Sequence, residues 1–340
     1  MSVENTATKK KLGAIPISIL DSATVSEGST PADSFKNMLD LAQHAEAWGF
    51  NRYWLAEHHN LAPIASSATS VLISHIAAGT NRIRVGSGGI MLPNHAPLVI
   101  AEQFGSLESL YSNRIDLGLG RATGSDQSTA RALRRERAIE FPEQVHELMA
   151  YFDPSKSDSE NPVKAIPGEG LKIPIWLLGS SDFSARLAAY LGLPFSFAGH
   201  FSPSYTFPAI QTYRENFKPS ESLKEPYVMM GLNLSAADTD EKANWLFSSL
   251  KQSSLAMVRG KAAPIQPPAD MDTIWNENEK QFISQSLKGS IVGSPQTVKE
   301  QLQTFIENTQ ADEVILTSYF YDHKDRLKSY EIISDFINKA

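Results

Sequence analysis

The sequence predicts an α/β fold of the (β/α)8 type, a TIM barrel, and three observations carry that expectation. Short strands that are apolar on both faces, as buried parallel strands must be, alternate with amphipathic helices. The alternation recurs eight times, with a further helix after the last strand, which fits a closed barrel better than an open sheet. Just past the strand ends stand glycines, serines, histidines and charged groups, and a barrel brings all such tips to one face.

Leu12 to Leu20 is the first apolar, isoleucine-rich run. Thr30, Pro31, Ala32 and Asp33 then supply an N-cap, a proline at the first helical position and an acid in the first turn. Phe35, Met38, Leu39, Ala42, Ala45 and Trp48 recur at helical spacing up to Gly49, the expected glycine terminator, and Asn51 to Ala56 supplies the second strand. The same pattern gives a helix from Ala68 to Ala78, a strand from Ile83 to Leu92, a helix from Leu98 to Tyr111 and a strand from Ile115 to Leu119. After a longer helical and loop region come a strand from Ile173 to Leu178, a helix from Ser184 to Leu191, a strand from Phe195 to Ala198 and a helix from Pro208 to Phe217. Tyr227 to Leu234 and Glu313 to Thr317 complete the eight strands.

Residues 238–294 break the rhythm with a helical stretch from Asp240 to about Arg259, the prolines Pro264, Pro267 and Pro268, and Phe282 to Leu287. They are expected to form an insertion between strands seven and eight, either a lid or a layer over the helical ring. Residues 1–11 are polar and read as a disordered lead, which leaves 12–340 as one domain.

Composition narrows the function. With 41% hydrophobic and 20% charged residues and no run near the roughly 18 apolar residues of a membrane span, a soluble protein is expected. The absence of cysteine excludes disulfides, thiolate metal sites and a cysteine nucleophile, and with no secretory signal it favours the cytoplasm. A net charge of −7 gives no general attraction for nucleic acid or anionic lipid, so any phosphate must be held locally.

The tips hold the candidate chemistry. Strand two runs into Glu57, His58 and His59, and because side chains alternate along a strand the two imidazoles share a site only if the strand has ended. Strand three carries Gly86, Ser87, Gly88 and Gly89, followed by Asn94 and His95. Its glycines suit either the close approach of a planar ring or a β-bulge. Strand four ends at Gly120, Arg121, Gly124 and Asp126, strand five at Gly179, Ser180 and Ser181, and strand six at Gly199, His200 and Phe201. Ser180 and Ser181 before a helix suit a phosphate, with Arg121, backed by Arg131 or Arg134, as counter-charge; Asp182 reads as the helix cap. Gly118, Gly120 and Gly124 lack the spacing and distal acid of a dinucleotide fingerprint. The histidines show neither H-x-H nor H-E-x-x-H, so no metal is expected.

The segments WLAEHHN, VGSGGIMLPNH, RIDLGLGRATGSD, WLLGSS, LPFSFAGHF, IVGSPQTV and ADEVILTS together resemble the bacterial luciferase-like flavin monooxygenases over roughly residues 12–335. The resemblance implies a TIM barrel that uses FMN, as FMNH2, with molecular oxygen through a C4a-peroxyflavin, and usually a homodimer. By motif, Glu57 and His58 match the acid and essential histidine near the flavin, and Gly88 and Gly89 a small-residue pair that in the luciferase has a cis peptide against the ring. Arg121, Ser181 and Ser184 match phosphate-side residues. Gly120 replaces a cysteine beside the flavin and Ser180 replaces a glutamate, departures that weigh against aldehyde chemistry and light emission.

Expected roles follow. His58 acts as acid/base, since an unperturbed imidazole titrates near pH 6.5, with Glu57 as its orienting partner. His200 and Phe201 line the pocket. With no nicotinamide motif in the chain, a separate flavin reductase is expected to supply FMNH2. The substrate is a small organic molecule. The alternatives are an F420-dependent dehydrogenase on the same barrel and a non-catalytic FMN-binding protein.

Overall fold

The computed structural model describes residues 10–122, 126–133, 140–156 and 162–337. In chain order the elements are β1 (Ile17–Asp21), α1 (Pro31–Trp48), β2 (Arg52–Leu55), α2 (Thr69–Ala78), β3 (Arg84–Met91), α3 (Pro97–Leu110), β4 (Ile115–Gly120), α4 (Gln127–Ala132) and α5 (Phe141–Phe152). There follow β5 (Ile175–Gly179), α6 (Asp182–Leu191), β6 (Phe195–Phe197), α7 (Thr206–Asn216), β7 (Val228–Ala236), α8 (Asp240–Val258), α9 (Glu277–Ser286), β8 (Ile291–Gly293), α10 (Pro295–Thr309), β9 (Glu313–Thr317) and α11 (His323–Ser334).

β1 through β7 and β9 pair in parallel around a closed ring, β6 with β7, β7 with β9 and β9 with β1, so the fold is a (β/α)8 barrel. The local signals read for α1 are realised: Thr30 and Asp33 form a reciprocal capping box, and Gly49 ends the helix at φ 88. The eighth barrel strand is β9. β8 was not foreseen, because Ile291, Val292 and Gly293 are too few to show a period. It pairs outside the ring with Leu234, Ser235 and Ala236 at the far end of β7.

The irregular region holds α8, α9 and β8, and its Ile265 backbone pairs with Val25 and Glu27 beyond β1. Of the expected lead, residues 1–9 lie outside the described residues; Lys10 is bound, its backbone N–H donating to Gln310 Oε1 at 3.0 Å and its ammonium pairing with Asp312. Among the described residues no helix is long and apolar enough to cross a membrane.

The barrel is plugged at its N-terminal end by paired charges. Arg52 Nη1 and Arg84 Nη2 each reach Asp116 at 2.6 Å, Trp54 Nε1 donates to Asp116 at 3.2 Å, and Arg52 Nε reaches Glu313 at 3.1 Å. Both carboxylates are fully buried, a state that holds only when every charge is met by its opposite and by hydrogen bonds. Above the plug lie Leu20, Trp54, Trp176, Met229 and Ile315. The open space is therefore at the other end, over the strand tips.

Candidate active site

That space is a cavity of about 240 Å³ to which all eight barrel strands contribute. Its floor and one wall are apolar: Leu20, Trp54, Met91, Leu178, Phe197 and Ile315. Polar groups enter in two places that are diametrically opposed in the strand order. Beyond β4 and β5 stand Arg121, Ser180, Ser181 and Ser184, and beyond β9 and β1 stand Thr317, Tyr319 and Ser22. His58 and His200 also face the cavity.

The β5 side gathers hydroxyls and a guanidinium around the start of α6. Ser181 is the N-cap of α6, yet its side chain makes no capping bond, so the hydroxyl and the first-turn N–H groups are not satisfied by a local cap. Asp182, expected as the cap, is instead the first helical residue and pairs with Arg186 at 3.5 Å. Ser184 is buried, and it comes so close to Gly179 that a Cβ there would lie 2.5 Å from its Oγ. The Arg121 guanidinium lies 4.1 Å over the Phe183 ring, which places its charge beside the start of α6. Arg131 is exposed on α4, while Gly124 and Arg134 lie outside the described residues.

Glu57 is placed differently from its expected role as the partner of His58. Its carboxylate is fully buried and accepts from His59 Nε2 at 2.8 Å, His95 Nε2 at 2.9 Å, Asn94 Nδ2 at 3.1 Å and the Met91 N–H at 2.9 Å. Burial alone would raise its pKa, but the bond and charge of His95, the bond from His59 and the Met91 N–H together hold it below the usual carboxylate range. None of these partners is His58, and Glu57 is not in the cavity wall. The carboxylate ties the β2 tip to the segment after β3. Both imidazole nitrogens point to the same carboxylate oxygen.

The strand-three residues divide similarly. Gly88 lines the cavity, and the Gly88–Gly89 peptide is cis, as the resemblance implied. The register against β4 also shifts between Gly88 and Ile90, so a bulge is present as well. Ser87 lies behind the wall, donating to the Gly118 carbonyl and accepting from the Gly118 N–H, both at 2.9 Å. A Cβ at Gly86 would stand 2.4 Å from the Asp116 carbonyl oxygen, and one at Gly89 2.7 Å from that of Gly118. Those two glycines answer to crowding between strands, not to a ring in the cavity.

His200 packs against Phe201 with ring centroids 4.3 Å apart, and a Cβ at Gly231 would lie 2.6 Å from its Nδ1. Burial pulls its pKa down to about 4, against the Gly231 backbone and with the help of His58, so the ring is neutral at neutral pH. Ser22, Ser196, Thr317 and Tyr319 were not anticipated. For three of them the sequence carries a signal: Ser22, Thr317 and Tyr319 stand at the tips of strands one and eight, as other cavity residues stand at the tips of strands two to six. The Tyr319 phenol is pushed up by burial, partly offset by a hydrogen bond from Ser22, so it stays protonated and can donate.

The sequence profile of the family described as luciferase-like monooxygenase matches residues 15–313. An uncharacterised Bacillus subtilis protein, YvbT, is 58% identical, with 94% of this chain and 96% of that protein covered. An Escherichia coli K12 protein described as a luciferase-like monooxygenase is 50% identical over the same shares, 94% and 96%. The solved structure of apo-MsnO8 superposes with a TM-score of 0.84 at 33% identity, covering 95% of this chain and 98% of that one. Two distant barrels share the fold. One is the oxygenating constituent of a Pseudomonas putida 3,6-diketocamphane monooxygenase solved with FMN, with a TM-score of 0.72 and 18% identity over 95% and 98% of the chains. The other is an F420-dependent secondary alcohol dehydrogenase, with a TM-score of 0.66 and 14% identity over 96% and 99%. The chain, an oxidoreductase of the monooxygenase kind, belongs to the luciferase-like monooxygenase family.

Proposed function

We propose that this protein oxygenates a small organic substrate with O2 and reduced FMN. The observation that carries the proposal is the polarity of one cavity: an uncapped helix start with serines and an arginine on one side, and an apolar, imidazole-bearing floor beside it. That donor set fits a flavin phosphate, and the apolar slot fits a ring system. Ser180, Ser181, Ser184 and Arg121 would hold the phosphate, with Gly88 and Trp54 in the wall beside the ring. Reduced FMN, when bound, supplies the two electrons with which one oxygen atom enters the substrate and the other leaves as water.

The chain's own residues do the rest. Trp54, Leu178, Phe197 and Ile315 exclude water from the reacting end. His58 exchanges the proton, positioned by a loop that Glu57 anchors through His59 and His95. His200, neutral, adds no competing charge next to it. Tyr319, opposite the phosphate seat and itself accepting from Ser22, is placed to donate a hydrogen bond to the organic substrate. The enzyme is further proposed to work in the cytoplasm as a homodimer fed by a separate flavin reductase.

Titration of the purified protein with FMN, FMNH2 and F420, followed by mixing the reduced complex with oxygen, tests the proposal. Tight binding of FMNH2 and its oxygen-dependent reoxidation are expected. Binding of F420 in place of FMNH2 would make the protein a deazaflavin dehydrogenase, and binding without oxygen chemistry a carrier.

A further inference from the structure

A file of aromatic rings leaves the cavity floor and crosses the charged plug. Trp54, in the cavity wall, meets Trp176 edge to face with ring centroids 5.2 Å apart at 83°. Trp176 meets Tyr227 in the same way at 5.6 Å and 85°. Both separations lie in the range of direct aromatic contact. Tyr227 stands half-buried just before β7, at the end of the barrel away from the cavity.

The proton partners are arranged unevenly along the file. Trp54 Nε1 donates to Asp116 at 3.2 Å, and the Tyr227 hydroxyl donates to Glu313 at 2.9 Å. Trp176 Nε1, between them, is buried without a hydrogen-bond partner, and the Arg52 guanidinium lies 4.9 Å over its ring. Positive charge is therefore disfavoured on Trp176, whereas at either end an oxidised ring can shed its proton to a carboxylate.

We propose that Trp54, Trp176 and Tyr227 form a relay that carries an oxidising equivalent away from the cavity. A one-electron oxidant of the flavin–oxygen class takes an electron from Trp54. An electron from Tyr227 then refills Trp54 by way of the Trp176 ring, which holds the charge only in passing, and any indole proton lent to Asp116 returns to Trp54. As Tyr227 loses its electron its hydroxyl proton passes to Glu313, leaving a neutral phenoxyl radical. A soluble thiol at the far end returns one electron, Glu313 returns the proton, and the thiol leaves as a thiyl radical and a proton. The purpose of the relay rests on the flavin–oxygen function; the electron path itself does not.

The test begins without flavin. In a protein carrying Trp48→Phe, Trp245→Phe and Trp275→Phe, Trp54 and Trp176 are the remaining indoles. An ultraviolet laser flash ionises them in place, and transient absorption follows the indole radical. Its decay should coincide with the rise of a phenoxyl signal. Added Tyr227→Phe should abolish that rise and lengthen the indole radical lifetime severalfold, and Trp176→Phe should do the same for a radical formed on Trp54. Absence of indole-to-phenoxyl conversion in the parent, or an unchanged lifetime in either variant that keeps its circular dichroism, overturns the relay. If both variants misfold, deuterated tyrosine and electron paramagnetic resonance on the parent decide, since a phenoxyl on another tyrosine also overturns it. A visible flash on FMN-loaded protein then asks whether bound flavin feeds the path. Failure to bind FMN would sink the proposed function while the flavin-free result stands.

Discussion

Replacing Glu57 by glutamine keeps the shape of the side chain and removes its charge, which separates an anchor from a proton-transfer group. The carboxylate accepts from four groups, at 2.8 to 3.1 Å, in full burial. The amide must turn an NH2 toward one pair of those donors, leaving at least one buried N–H unpaired at about 1–3 kcal/mol and weakening bonds that had been charge-assisted. About 3 kcal/mol of stability should be lost. For 340 residues, an unfolding entropy of about 2.1 cal/mol/K per residue converts this to a fall of roughly 4 °C in Tm.

The assay is thermal unfolding by circular dichroism from pH 7.5 to well below the ordinary carboxylate pKa of 4.5, with FMN affinity measured alongside at neutral pH. The Glu57 pKa is lower in the folded chain, so its contribution is fully present above the ordinary carboxylate pKa and is lost as pH falls through the depressed value. Wild type and Glu57→Gln should therefore converge toward acid pH. A variant whose Tm stays within about 1 °C of wild type while turnover vanishes would refute the anchoring argument and restore Glu57 to the proton path.

His58→Ala should leave the fold and FMN affinity nearly intact and lower turnover by about 10²-fold or more, read by single-turnover kinetics of the reduced complex. Arg121→Ala should weaken FMN binding by roughly tenfold to a hundredfold, the loss of one charge-assisted contact of about 1.5–3 kcal/mol, measured by flavin fluorescence quenching. Gly88→Ala brings a Cβ to 2.6 Å from Leu20 Cδ1 and 3.2 Å from the Trp54 ring, so a melting curve should show a loss of about 1–3 kcal/mol. His200 has a folded pKa of about 4 against 6.5 for the free side chain, so the unfolded chain binds the extra proton between those values. Stability should fall by up to about 3 kcal/mol as pH drops from 6.5 to 4, and His200→Asn should flatten that limb of the Tm profile.

Much of the fold was legible because its signals are local. The Thr30 cap, Pro31 and Gly49 each act through their own backbone, and the apolar runs of β3, β4 and β9 announce strands buried on both sides. Three-residue β8 carries no period to read. The cavity was legible as far as the strand tips and the family motifs reach: His58, Gly88, Arg121, Ser180, Ser181 and His200 stand at tips, Ser184 follows from the resemblance, and all face it. What sequence order cannot show is which neighbour a side chain turns toward. Glu57 and His58 are adjacent in the chain, yet the carboxylate meets His59 two positions on and His95 thirty-eight positions away. Likewise Gly86 and Gly89 look like Gly88 until the opposing Asp116 and Gly118 backbones are known.

β7 divides its length between two tasks. Met229 to Asn233 close the ring against Glu313 to Thr317, while Leu234 to Ala236 leave it and take β8 as partner. None of the cavity-lining residues comes from 237–294. Barrel closure and the cavity wall thus take no residue from that excursion, which is held from outside by the β8 ladder, the Ile265 clasp on Val25 and Glu27, the Ser235 hydroxyl donating to the Ala243 carbonyl at 2.9 Å and the Lys242–Asp325 pair at 3.2 Å. Related chains are free to lengthen, shorten or rewrite it without shifting the register of a single barrel strand, so length variation among relatives should concentrate there while the strand tips stay in step.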